Sequence, residues 1–459
     1  MKRIDFEHGT VTGNILGAAL PMLVAQILSL LYNIVDRVYI ARIPEVGTAA
    51  LGAVGLCFPL IVIITAFSNL FGSGGAPLFS IERGKNDQKK AERIMNTSYS
   101  MVCVCAVILM VIGFLFARPL LSLFGASADA MVYAYPYMMI YLIGTLPSMV
   151  ATGMNPFINA QGYSTVGMLS VTIGAVANLL LDPLFIFVFG FGVQGAAIAT
   201  VISQTLSAVF VLYFLTRKSE LKVRFVRKDE ISECAGYAKN IVSLGTAGFI
   251  MQLTNSLVTI CCNNVLSVTG GDIYISVMTI ISSVRQLVET PIYAMNEGSS
   301  PILSYNYGAR QPKRITQTIK LAVCFAECIM LCGLILAEVF PHVLLGVFNA
   351  SPTMLAMGIL ALRIIAIHFP MAGFNVISSS AFQALGRGTL ALLVSVIRQL
   401  VVLVPAAWLL SHTGNVNAVW FAFPIAELVA VTLCAVFMRK CHRDILLPME
   451  AAQKTAASV

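Results

Sequence analysis

GGAPLFSIERGKNDQKKAERI, residues 74–94, and GSSPILSYNYGARQPKRITQTI, residues 298–319, are two copies of one segment. Pro77 and Pro301, Gly84 and Gly308, and Lys89 and Lys313 pair at a constant separation of 224 residues in a chain of 459, the trace that duplication of a structural unit leaves. Both copies lie between long apolar stretches, so the repeated unit is a bundle of membrane helices. The likeness continues outward. Asn14, Ile15 and Gln26 recur as Asn240, Ile241 and Gln252 at a spacing of 226, and LLSLFGAS from Leu120 recurs as LLGVFNAS from Leu344 at 224. Gly192 and Gly195 correspond loosely to Gly414 and Asn417 at 222, and such small drifts are what loop insertions produce.

Composition agrees with a membrane bundle. Hydrophobic residues make up 58% and charged residues 11%, against about 45–50% and about 25% in soluble domains. No Asp, Glu, Lys or Arg occurs in the 52 residues 130–181, room for two spans of about 20 residues each. Further charge-free windows cover 46–81, 94–117, 183–216, 240–271 and 339–362. Closed barrels need short alternating strands instead of windows of this length. The fold expected is an all-α polytopic membrane protein with twelve transmembrane helices in two pseudo-symmetric six-helix bundles. The spans are placed at 15–41, 50–80, 94–117, 131–153, 165–189, 193–215, 240–268, 273–303, 317–340, 354–378, 389–410 and 415–438. The corresponding domains are an N-lobe over 1–216, a cytoplasmic connector over 217–239, a C-lobe over 240–440 and a cytoplasmic tail over 441–459.

Basic residues set the orientation. Five lie in 83–93, seven in 217–239, four in 310–320, and three are Arg439, Lys440 and Arg443, all on one side for twelve spans. The opposite loops hold Arg42 and Arg118. The charged side is therefore expected to be cytoplasmic, with both termini inside a multi-pass cell-membrane protein. This asymmetry also explains the net charge of +8. In the connector, Lys222, Arg224, Arg227 and Lys228 are followed by Asp229, Glu230 and Glu233, which suits an amphipathic linker near anionic lipid and not a nucleic-acid groove. The first 14 residues hold no separate apolar segment with a cleavage site, so the first span is expected to remain as a signal anchor.

Eleven cysteines suggest neither disulfides nor a structural metal. Most lie inside apolar runs. Cys324, Cys328 and Cys332 form an i,i+4 stripe on the ninth span, but no neighbouring His or Asp completes a ligand set, and free cysteine packs as a small hydrophobe. Nucleotide-binding fingerprints and HExxH are absent from the sequence.

Six spans per half is an even number, so the two halves enter the bilayer from the same side as parallel repeats about a cleft. An intramembrane carboxylate is expensive and marks function by default. Asp36 and Asp182 qualify. At 1.5 Å per residue Asp36 lies roughly 30 Å along the first span and Asp182 roughly 25 Å along the fifth, so the two share the outer part of one N-terminal pocket. Asn178 sits one turn below Asp182, and Thr200 on the descending sixth span falls at similar depth. Oxygen ligands of this kind hold a cation, or the acids exchange a proton. The bland alternative pairs Asp36 with Arg37. The second half aligns Asp36 with Cys261, Cys262, Asn263 and Asn264, and Asp182 with VVLVPAAW at 401–408, so coupling belongs mainly to the first half. Arg285 and Glu289, four apart on the eighth span, either compensate each other or line the cleft; Arg363, His368 and Arg398 add charge on spans ten and eleven. Met22, Phe67, Met149, Phe157, Met251, Met278 and Tyr293, with Gln26 and Gln252, are candidate cleft linings for flat, lipophilic monocations, with ordinary helix packing as the alternative for each.

Pro21 and Asp36, the 75–89 stretch with its second-half copy, NPFINAQG at 155–162 and NLLLDP at 178–183 together resemble the multidrug and toxic compound extrusion (MATE) family, nearest to its MepA- and DinF-like bacterial and archaeal branches. The likeness covers nearly the whole chain. It implies two six-helix lobes and no enzymatic activity or cofactor, with secondary active efflux of amphiphilic organic cations by alternating access, coupled to transported H⁺ or Na⁺, from a functional monomer among membrane lipids. Residue by residue, the resemblance places the ion-coupling site on Asp36, Asn155, Asn178, Asp182 and Thr200 and makes Pro21 the bend of the first helix. A flippase for a lipid-linked precursor, held by Arg285, Arg363 and Arg398, and a non-transporting scaffold are the alternatives.

Overall fold

A backbone immersed in lipid must satisfy every N–H and C=O within its own segment, so apolar windows become helices. The computed structural model describes residues 3–346 and 352–457. Among the described residues no β-strand forms, and the membrane spans follow in order. They are α1 Val11–Ala41, α2 Ala49–Gly84, α3 Gln88–Leu123, α4 Ala128–Ile143 with Thr145–Ala160, α5 Ser164–Val188 and α6 Gly192–Lys218. The second half holds α7 Ile231–Gly270, α8 Asp272–Gly308, α9 Pro312–Val339, α10 Pro352–Ala366 with Phe369–Ala384, α11 Gly388–Ser411 and α12 Ala422–Cys441, followed by a tail helix, α13 Leu447–Ala457. Several spans extend past the apolar windows. At the start of α3 the Asp87 carboxylate accepts from the Lys90 N–H at 3.0 Å.

The backbone carries the duplication in register. Two spans are bent, α4 by 56° and α10 by 47°, and their limits differ by 224 residues at both ends, Ala128 to Pro352 and Ala160 to Ala384. Pro147 and Pro370 stand in the first turn after each break, where a missing N–H costs the helix least. Left-handed backbone recurs the same way. Asn86 and Arg310, Gly162 and Gly386, and Gly190 and Gly414 all have positive φ at a separation of 224, and Glu45 and Gly271 do so at 226. The second copy of the LLSLFGAS stretch, 344–351, lies outside the described residues beyond 346.

Packing divides the chain differently from the lobes read in the sequence. One compact unit contains Leu20–Gly245 together with the residues up to Asp5, and the other contains Phe6–Ala19 together with Thr246 onward. The connector and the first turns of α7 therefore belong with the first unit, and the start of α1 with the second. The first core is built around Phe79, Met95, Met138, Leu142, Met149 and Phe157, all buried. The second contains Leu303, Ile315, Phe382, Leu385 and Cys434.

The connector packs against the first unit with Leu221 and Val223 buried and Lys222 exposed. Over 219–227 it forms no helix, and backbone hydrogen bonds to buried and half-buried side chains tie it to the first unit. The Leu221 N–H donates to Gln161 Oε1 at 3.1 Å, and Gln161 Nε2 donates back to the Leu221 carbonyl at 3.3 Å. The Arg224 N–H donates to Asn96 Oδ1 at 2.8 Å and the Val226 N–H to Ser100 Oγ at 3.1 Å. Buried Arg83 donates to the Ala160 carbonyl at 2.6 Å and to Glu220 at 3.2 Å. Buried amides and hydroxyls at the ends of α3 and α4 need partners, and the strap supplies them.

Candidate functional site

Asp36 on α1 and Asp182 on α5 come together inside the first unit. Their carboxyl groups lie within hydrogen-bonding reach of each other, and Asp182 has no exposed surface. Asn178, one turn before Asp182, donates from Nδ2 to Asp182 Oδ1 at 3.2 Å and to Thr200 Oγ1 on α6 at 3.4 Å. The local fold follows from Pro183. Lacking an N–H, it loosens the end of α5, and the chain continues as a π-helical turn over Leu184–Val188.

Three oxygens of this group are left over. Among the described residues no donor reaches Asp36 Oδ1, Asp182 Oδ2 or Asn178 Oδ1, although each atom is buried. Two carboxylates at this separation repel when both are ionised, so the arrangement is relieved by a proton or cation shared between them. An all-oxygen donor set suits either H⁺ or a hard cation. Arg37 does not supply that charge by direct contact. Its guanidinium lies over the Phe58 ring, 4.7 Å from the centroid, because adjacent helical residues point in different directions.

Tyr32 and Tyr137 lie close enough to both carboxyl groups to feel their charge, and neither was singled out from sequence. Tyr32 stands four residues before Asp36, a same-face spacing that could have flagged it. Tyr137 comes from α4, and nothing local marks it.

Asn155 joins a different set of contacts from the one the resemblance implies. Its Nδ2 donates to Ser170 Oγ at 2.7 Å and to the Gly167 carbonyl at 3.0 Å, and its Oδ1 accepts from Asn159 at 3.2 Å. Asn159 also donates to the Met22 sulfur at 3.3 Å. Pro21 lies inside α1, which stays helical from Val11 to Ala41. Of the candidate linings, Met149 and Phe157 are wholly buried and Met22 and Met278 nearly so. Phe157 packs edge-on to Phe79 at 5.5 Å, so these four are core side chains in this structure. Phe67, Met251, Gln26 and Gln252 are half-buried, and Tyr293 is exposed.

The second unit holds a compensated cluster. Arg285 meets Glu289 at 3.4 Å, His368 Nε2 lies 4.0 Å from the same carboxylate, and the Tyr293 hydroxyl donates to it at 3.5 Å. Arg398 donates to Glu427 Oε1 at 2.5 Å, and Asn375 donates to the other oxygen. Gln399 donates to Asn255 at 2.7 Å. Glu427 was missed from sequence, although a carboxylate inside the twelfth apolar window was a usable signal. Arg398 and Gln399 sit in a π-helical stretch, Ile397–Leu403. Arg363 pairs with Glu338 at 3.5 Å.

Among the described residues, no group of three or more His, Cys, Asp or Glu side chains converges as a metal site. Cys324, Cys328 and Cys332 are exposed along α9.

Comparison with known proteins places this architecture. The MatE family profile matches residues 21–184 and 247–409, one match in each half of the duplication. The multidrug export protein MepA of Staphylococcus haemolyticus (strain JCSC1435) is 24% identical over 428 residues, covering 93% of this chain and 93% of its own. Among solved structures, a multidrug resistance MATE family transporter of the MOP superfamily, in its outward-facing conformation, has a TM-score of 0.89 at 25% identity and covers 99% of each chain. A MOP superfamily transporter from Pyrococcus furiosus, described as having a binding pocket of reverse polarity, also has a TM-score of 0.89, at 24% identity over 98% of this chain and 99% of its own.

Proposed function

Because the chain belongs to the MatE family, a family of transporters and not of enzymes, we propose that it is a secondary active multidrug exporter that moves amphiphilic organic cations out of the cell by alternating access in exchange for H⁺ or Na⁺. The observation that carries this reading is the Asp36–Asp182 pair with its orphaned oxygens. Asp36, Asp182, Asn178 and Thr200 take up the coupling ion. Ion and drug then exchange for a physical reason: each lowers the negative field that attracts the other, and the coupling is reciprocal. Asn155, held by Ser170 and Gly167, links α4 to α5, the helix that carries Asp182.

The flippase alternative needs arginines available for phosphate, and each of the three it relied on already meets a carboxylate. A passive scaffold gains nothing from two carboxyl groups held together in a low-dielectric core, where their desolvation is a standing cost. Purified protein in sealed vesicles tests the function. An imposed H⁺ or Na⁺ gradient is expected to drive ethidium against its own gradient; ethidium movement that ignores both gradients would refute coupled export.

A further inference from the structure

We propose that the connector end of the first unit binds one anionic phospholipid, with an acyl chain in a groove between α3, α4 and α6 and its phosphate against Arg227 and Lys228. The groove has a volume of about 680 Å³, and Cys103, Val107, Pro147, Ala208, Leu212 and Phe225 form much of its wall. That size lies within the range of about 300–1,000 Å³ typical of small-molecule sites. Val104 and Val209 at its edge are each 60% exposed, so it opens on the outer face of the bundle, where a spanning protein meets lipid. The polar content of the wall is already satisfied: the Thr205 hydroxyl donates to the Val201 carbonyl on its own helix at 2.7 Å. No carboxylate lines the groove, so a lipophilic cation finds no charge partner there.

The end of the groove has the opposite character. Phe225 closes it, tilted against Tyr99 at 4.8 Å, and the strap hydrogen bonds of Arg224 and Val226 hold that ring in place. Leu221 and Val223 are buried and Phe225 lines the groove, and Arg227 and Lys228 follow Phe225 directly along the chain, both exposed. The connector 217–239 has seven basic and four acidic residues, a net charge of +3. Three of the acids are engaged: Glu220 by Arg3 and Arg83, Glu230 by Arg224, and Glu233 by Arg93. Asp229 is the fourth. Lys222, Arg227 and Lys228 are exposed, and a basic cluster beside an apolar groove between membrane helices is complementary to an acidic headgroup with its tail.

The test uses the full chain in vesicles of phosphatidylglycerol or phosphatidylcholine carrying a photoreactive acyl chain, followed by peptide mapping. The expected adducts fall within 99–108 and 205–212, with phosphatidylglycerol favoured by about fivefold for each basic residue engaged. The double variant Arg227→Gln/Lys228→Gln should lower phosphatidylglycerol labelling to the phosphatidylcholine level. Ala208→Phe, which fills the groove, should remove both adducts; if that variant does not fold, Val209→Trp at the exposed rim serves instead. Equal labelling by the two lipids in the wild type, or a preference that survives the double variant, would overturn the proposal. So would displacement of the adducts by ethidium but not by unlabelled phosphatidylglycerol, which would assign the groove to a drug.

Discussion

Asp36 and Asp182 were legible because a carboxylate stands out in an apolar window and helix rise fixes its depth. Their partners were less so. Asn155 carries the same family-like signal as Asn178, yet its amide is spent on Ser170 and Gly167; which neighbour a buried amide meets is decided by tertiary packing, not by spacing. Asp36→Asn keeps the shape and removes the charge. It is expected to abolish gradient-driven efflux while equilibrium drug binding persists; Asp182→Asn should impair efflux strongly. Parallel loss of binding and efflux in a vesicle assay would make the pair structural instead. Arg37→Ala removes the contact with Phe58, worth about 0.5–1 kcal/mol, together with a positive charge that acts on Asp36, and should weaken efflux far less than Asp36→Asn does. In the second unit, Arg398→Leu strands Glu427 and should cost about 3–5 kcal/mol, whereas the double variant Arg398→Leu/Glu427→Leu should recover most of it. Thermal unfolding of the two variants in detergent gives the comparison, and equal losses would show that the ion pair is not what holds these helices together.

At the level of elements, most spans follow from apolar windows, the helix Asp272–Gly308 with its Arg285, Glu289 and Glu297 being the exception, and the 224-residue repeat correctly implied a duplicated backbone. The bends in α4 and α10 were not legible, although Pro147 and Pro370 stand in plain view, because a proline near a helix start and one at a break look alike until the flanking turn is known. Duplication preserved conformation and not chemistry: the positive-φ positions recur, whereas the second half has no carboxyl pair in the matching place. Close helix approach was also illegible. A Cβ on Gly72 of α2 would lie 2.6 Å from the Gly153 carbonyl oxygen of α4, while one on Gly52 would meet nothing within 4 Å. Gly72→Ala should therefore destabilise by about 1–3 kcal/mol through overpacking, with Gly52→Ala unchanged or slightly stabilised. Matching Tm shifts for the two variants would mean that α2 and α4 can separate without cost.

For the whole molecule, orientation rests on the distribution of basic loops. The connector tests it at Lys222, which is exposed, and not at Ser219, whose side chain is buried and would escape labelling on either side of the membrane. A Lys222→Cys variant in intact cells should stay unreactive to an impermeant thiol reagent until the cells are permeabilised; labelling beforehand would reverse the topology. The central claim is that ion and drug compete through the field of Asp36 and Asp182. It is tested most directly by counting the H⁺ or Na⁺ released when ethidium binds to purified wild-type protein and to Asp36→Asn. The wild type is expected to release ions on binding drug and the variant to release fewer. Equal release, with equal transport rates, would contradict the account.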